Sequence, residues 1–244
     1  QSQSTDVPSG QGFATSLKMD CTTADASPAA GDLNLLQQKI EGRNLQYLKK
    51  GTSSAESLTL SFWVKSNKTG TGQVNLRDND NSRLIGGTYT ISSADTWEHK
   101  VVNFAADTTG AFTNDNGQSL KIEWFLDSGT NFSSGTTDTT WGAKDDTDRN
   151  ASGTLQIARN TDNDWAITGI QVEVGEFSST TLPPFQFEDT GDNLRRCQRY
   201  FQECQTWSGG VVNSSSGYVN VTFFEIMRGT PSASTTGALN ANDI

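Results

Sequence analysis

LTLSFWVK, residues 58 to 65, alternates apolar and polar side chains without a break. Leu58, Leu60, Phe62 and Val64 fall on one side of an extended chain, and Thr59, Ser61, Trp63 and Lys65 on the other. LKIEWFLD, residues 120 to 127, repeats the pattern, with Leu120, Ile122, Trp124 and Leu126 opposed to Lys121, Glu123, Phe125 and Asp127. AITGIQVEVG is a third case, placing Ala166, Ile170, Val172 and Val174 on one face and Gln171 and Glu173 on the other. A period of two is the period of a strand with one dry face, so these segments must lie in antiparallel sheets packed over a common core. Residues 16 to 21, 34 to 41, 73 to 77, 88 to 92 and 97 to 104 are weaker strand candidates, giving about eight strands before residue 178.

The separators SNKTGTG, RDNDNS, SSADT, AADTTG and TNDNG combine residues that tolerate positive φ or bond their own backbone. Short strands punctuated in this way predict an all-β fold, a jelly-roll β-sandwich. The stretch from Asp127 to Asn150 is too long for a hairpin, and long loops in compact domains are commonly functional. Beyond Pro183 and Pro184 the pattern changes. In GDNLRRCQRYFQEC, residues 191 to 204, Leu194, Cys197, Phe201 and Cys204 recur at helical spacing behind capping Asp189, Thr190 or Asp192. From Trp207 to Met227 β patterning returns. The expected organisation is a jelly roll over 1–180, a linker and short helix over 181–205, and a small C-terminal β domain over 206–244. The chain begins without Met and stops at ALNANDI with no closing strand, as a piece of a longer polypeptide would.

A formal net charge of -10 argues against nucleic acid as the partner, because phosphate binding needs clustered Lys and Arg. No apolar run approaches the roughly 20 residues that span a bilayer, so membrane insertion is not expected. Cys21, Cys197 and Cys204 are an odd number for a disulfide framework, and Cys197 and Cys204 would stand about 10 Å apart along a helix, too far to bridge. Reduced thiols and assembly in a cytosol are therefore expected.

Catalytic motifs are poorly served. The one histidine, His99, has no GxSxG elbow or suitably placed Cys for a nucleophilic triad, and one His with three dispersed Cys offers no zinc spacing. RDNDN at 77 to 81 and KDDTDRN at 144 to 150 carry the hard oxygens that calcium prefers, but without the EF-hand spacing, and Asx turns bonding their own backbone are the simpler reading. No cofactor is expected, calcium being the one structural ion these turns would suit. A glycoside hydrolase would use Glu123 or Glu173 with Asp127, although carboxylates on solvated strand faces are ordinary. Sugar binding asks only for aromatic faces beside amides and carboxylates. The inferred polar face offers Trp63, Lys65, Arg77, Glu123, Phe125, Asp127, Gln171 and Glu173, and Trp141 stands in the long polar loop. Trp63, Trp141, Gln171 and Glu173 are the candidate glycan contacts; Trp63 and Phe125 packed under a covering segment, and Trp141 as a loop anchor, are the alternatives.

Three stretches taken together carry a resemblance: SLTLSFWVKSNKTGTGQVNLRDNDNSR with TYTISSADTWEHKVVNF, then DWAITGIQVEVGEFSSTTLPPFQFED, then LRRCQRYFQ. Their succession, over roughly residues 15 to 205, resembles the distal, receptor-binding part of tail fibre and related appendage proteins of tailed bacteriophages, especially marine ones. The resemblance implies a carbohydrate-binding-module-like jelly roll in a homotrimeric fibre of the virion, assembled in the host cytoplasm with other virion proteins. Its distal surface would bind host polysaccharide or lipopolysaccharide, and it supplies no catalytic motif. Leu194, Cys197 and Phe201 would then meet symmetry mates in the trimer. A capsid decoration or head fibre protein, and a polysaccharide-degrading tail enzyme, are the alternative roles.

Overall fold

The computed structural model describes residues 1–203, 208–213 and 216–232. Ten strands and one nine-residue helix precede a C-terminal hairpin. The strands are β1 (Ser2–Ser4), β2 (Ser16–Asp20), β3 (Leu33–Glu41), β4 (Leu58–Ser66), β5 (Gly70–Asp78), β6 (Arg83–Ile91), β7 (Glu98–Phe104), β8 (Gln118–Ser128), β9 (Gly142–Ala143) and β10 (Asp164–Val174). They form two antiparallel sheets, sheet A in the order β1-β2-β10-β4-β7 and sheet B in the order β3-β8-β5-β6-β9. Leaving aside the short edge strands β1 and β9, the chain crosses from one sheet to the other at every step except the β5–β6 hairpin. That connectivity is a jelly roll. The two edge strands are three and two residues long, too short to leave a periodic signal in the sequence.

The alternation of β4 and β8 places side chains as expected. Leu60, Phe62 and Val64 from sheet A meet Leu120, Ile122, Trp124 and Leu126 from sheet B, all buried in one core. Phe62 stands at the centre, edge-on to Tyr89 at 5.1 Å and to Trp124 at 5.8 Å between ring centroids, the geometry that aromatic quadrupoles favour.

Strand β10 departs from the sequence reading. Its pairing with β4 slips between Thr168 and Gln171, around Gly169 at φ +60. This bulge inserts residues into one strand and changes the parity of the residues after it. Trp165 and Ile167 therefore point into the core with Val172 and Val174, while Ile170 is 39% exposed. Ala166 and Ile170 are not on the core side, as uninterrupted alternation would have them.

The compact units are Gln1–Phe185 and Gln186–Ile244. In the second, α1 (Thr190–Gln198) is capped by the Asp189 carboxylate, which accepts from the Gly191 N–H at 2.8 Å. It ends sooner than the spacing suggests: Arg199 is its C-cap, so Phe201 lies past the helix, and Cys204 lies outside the described residues. Strands β11 (Ser208–Asn213) and β12 (Ser216–Asn220) pair as a hairpin.

Candidate functional site

The eight residues read as one polar face belong to two. Trp63, Lys65, Gln171 and Glu173 lie on the outside of sheet A, whereas Arg77, Glu123, Phe125 and Asp127 lie on the outside of sheet B. Sequence periodicity tells in from out within a strand; it does not tell which sheet the strand joins.

On sheet A, Trp63 sits opposite His99 of β7, and the rings stack at 5.1 Å with 28° between planes. Both are half-buried. Burial lowers the His99 pKa from its ordinary 6.5, which keeps the imidazole neutral at neutral pH. Beside them the N-terminal segment brings Asp6, which accepts from Lys65 Nζ at 2.7 Å and Trp97 Nε1 at 3.0 Å. These two hydrogen bonds hold the Asp6 carboxyl below the usual range. Two indoles, an imidazole, a carboxylate and an ammonium are thus assembled on one open sheet face. Trp97 and Asp6 carry no sequence signal of this role, because their proximity depends on the β4–β7 pairing and on where the N-terminal segment runs.

Further along the same face the chain after β10 folds back over the sheet. Thr59 Oγ1 donates within reach of Asn103 Oδ1 and the Gly175 carbonyl, the Phe177 N–H donates to Thr59 Oγ1, and Asn103 Nδ2 donates to the Phe177 carbonyl. The Gln171 amide donates to Glu173 Oε1 at 2.9 Å and to the Pro183 carbonyl at 3.1 Å. Phe185 closes on Phe13 edge to face at 5.0 Å. The Pro183–Pro184 stretch is therefore packed on sheet A, and Gln171 and Glu173 line the margin of this strap. Tyr47, 54% exposed, stands near Glu173; burial and that carboxylate raise its pKa.

The outside of sheet B is sealed by the long loop. Arg149 lays its guanidinium between Phe125 and Phe132, 5.2 and 5.4 Å from the ring centroids, and donates to Glu123 Oε2 from Nε and Nη2 at 3.1 and 2.9 Å. Gln37 donates to the other Glu123 oxygen at 2.7 Å. Asp127, 3% exposed, accepts from Arg159. Glu123 is fully buried and Glu173 is on the opposite sheet, so the three carboxylates considered for hydrolysis share no cleft.

Trp141 anchors the same loop. Its indole N–H donates to the Ala105 carbonyl at 2.8 Å, its carbonyl accepts from Arg83, and Lys50 Nζ lies 5.2 Å from its ring. That ammonium is itself held by Asp78 and Asp107 and by the carbonyls of Thr109 and Gly110. Against the opposing effect of burial, hydrogen bonds from Arg83 and Lys50 keep the Asp107 carboxyl below the carboxylate range. The other Asp78 oxygen accepts from the N–H groups of Asp80 and Asn81. A lysine is the cation in this ring of oxygens. Among the described residues no three His, Cys, Asp or Glu side chains converge as metal ligands.

In the second unit, Leu194 is 55% and Phe201 73% exposed, and Cys197 is exposed with a free thiol. No residue from 186 onward whose exposure is described is buried. Arg196 pairs with Glu188 at 2.7 Å, and Arg195 lies 3.7 Å from both Asp192 and Glu225.

No protein-family model matches the chain, and no curated protein matches it. Solved structures of similar shape include the enzymatically active domain of tailspike protein 4 of bacteriophage CBA120, at 14% identity and TM-score 0.37, where 71% of this chain corresponds to 17% of that one. A CBM4 structure matches at 12% identity and TM-score 0.33, over 62% of this chain and 66% of that one. The EclA C-terminal domain, a sugar-binding protein, matches at 14% identity and TM-score 0.31, over 68% of this chain and 87% of that one. Likenesses this distant assign no residue a role; the functional reading rests on the side chains themselves.

Proposed function

We propose that the chain is a non-catalytic glycan-binding module of a bacteriophage virion appendage, a tail fibre or similar, which holds host-surface polysaccharide or lipopolysaccharide during adsorption and needs no cofactor to do so. The carrying observation is the half-buried Trp63–His99 stack on the open face of sheet A, with Trp97, Asp6 and Lys65 around it. A pyranose ring presents C–H groups on its faces and hydroxyls at its rim. It therefore asks for an aromatic platform edged with donors and acceptors, which this cluster supplies. Gln171, Glu173 and Tyr47 extend the same face. Trp141 serves as the loop anchor in this reading.

Replacing Trp63 with Ala is expected to weaken adsorption to host cells about tenfold, equivalent to about 1.4 kcal/mol, with circular dichroism unchanged. Undiminished adsorption of the folded variant counts against this face. A polysaccharide-degrading enzyme would instead release reducing ends, which a panel of surface glycans checks directly. Immunogold labelling of virions separates a tail appendage from a capsid decoration or head fibre protein.

The assembly proposed is a homotrimer joined through Leu194, Cys197 and Phe201. A nine-residue helix is marginal in isolation, and a unit with no buried side chain among its described residues gains stability by covering its apolar groups against other copies. Leu194→Asp is expected to lower the mass seen by light scattering to that of the monomer; an unchanged mass rejects the trimer.

A further inference from the structure

On the outer face of sheet B, one register row carries three cations side by side. Lys39 of β3 pairs with Lys121 of β8, and Lys121 pairs with Arg77 of β5. Residues directly opposite on adjacent strands have Cβ atoms about 5 Å apart, and like charges placed so are destabilising. The row is anomalous in a chain of net charge -10. Local carboxylates offset it only in part, Glu123 attracting Lys121 and pairing loosely with Arg77. Glu123, in the next row, is taken up by Arg149 and Gln37, and reaches Arg77 only at 3.8 Å. The ammonium groups of Lys39 and Lys121 donate no hydrogen bond and form no close ion pair among the described residues. Lys121 is nevertheless only 9% exposed, and Arg77 Nε is buried with no partner. A buried donor left unmatched costs free energy unless something else fills its valence. Burial, together with the neighbouring cations of Arg77 and Lys39 and against the opposing attraction of Glu123, pushes the Lys121 pKa down. The sealed part of sheet B ends here: Lys39 is exposed and Arg77 partly so, leaving the row accessible at the rim of the loop.

We infer that Lys39, Lys121 and Arg77 form a site for an oxyanion, the carboxylate or phosphate substituent of an acidic saccharide. Arg77 offers a planar fork suited to a two-oxygen group, and the two lysines flank it as point charges. This rests on the proposed glycan binding and makes it specific. The ligand is a polysaccharide bearing uronate or phosphate, engaged on sheet B by its charge, in addition to the neutral stacking on sheet A.

The test uses the full chain and isothermal titration with four probes: a galacturonate trisaccharide, its neutral galactose counterpart, mannose phosphate, and inorganic phosphate. The expected result is at least tenfold tighter binding of an acidic saccharide than of the neutral one, the uronate and phosphate arms showing which oxyanion is preferred. Lys121→Met and Lys39→Gln should each abolish that preference. The second lies on an exposed edge position and guards against a folding defect in the first. Equal binding of acidic and neutral sugars overturns the anion site and leaves the glycan reading intact. Lys121-dependent binding of inorganic phosphate without any saccharide keeps the site and removes the glycan reading. An acidic preference that survives both substitutions, or no Lys121-dependent anion binding at all, overturns the site.

Discussion

Lys50 shows how one side chain decides the chemistry of a turn. The RDNDN sequence has the donors of a calcium loop, yet its Asp78 oxygens are divided between backbone N–H groups and the Lys50 ammonium. Removing one member of a buried ion pair leaves the other charge uncompensated, at a cost of about 3–5 kcal/mol. Lys50→Met should therefore lower stability by about that amount in urea denaturation. His99 gives a pH effect of definite sign. Its pKa in the folded chain is below the ordinary 6.5, so the unfolded chain binds more protons and stability falls as pH drops through about 6.5. The lowered carboxyls of Asp6 and Asp107 act in the same direction, but only near and below the ordinary 3.8. Thermal melts between pH 5 and 7.5 should thus show a decline on acidification that His99→Asn removes.

At the level of elements, the β10 bulge places both the core and the candidate site. Gly169 adopts φ +60, and a Cβ there would lie 2.5 Å from the Phe13 ring. Gly169→Ala is expected to cost about 1–2 kcal/mol from the left-handed backbone alone, with Phe13 displaced in addition, read as a lower urea midpoint. The loop after β8 is fixed through Arg149, whose contacts to Glu123, Phe125 and Phe132 seal sheet B. Arg149→Met should destabilise by about 3–5 kcal/mol, because Glu123 would remain buried with its main cation gone. Hydrogen exchange concentrated in residues 129–155 would identify that loop as the part released.

For the whole molecule, the two units differ in how they are held. Residues 1–185 contain every buried apolar side chain of the described chain, and residues from 186 onward expose Phe187, Phe201, Phe224 and Ile226. A fragment ending at Phe185 is therefore expected to fold with the thermal midpoint of the jelly roll and to bind sugar as the full chain does. It should be monomeric in light scattering. Loss of folding in that fragment would show that the jelly roll depends on the C-terminal unit.

Much of the architecture was legible from residues alone. Period-two alternation in β4 and β8 identified the side chains that face the core between the sheets, but not that the outward side of β8 is buried as well, under the loop that Arg149 holds; the Asx- and Gly-rich separators marked the reversals. Trp63 was legible as an outward aromatic for the same reason. The pairing of strands distant in sequence was not. Whether Gln171 shares a face with Glu123, whether Lys39 meets Lys121, and whether Asp6 reaches Trp97 depend on sheet order and register. Those are set by how two whole sheets fill a common core, a collective packing constraint that no local pattern encodes. Residue order was enough to specify strands, turns and an acidic surface. It took the packed sandwich to divide the polar residues between two faces, one sealed by Arg149 and one left open around Trp63.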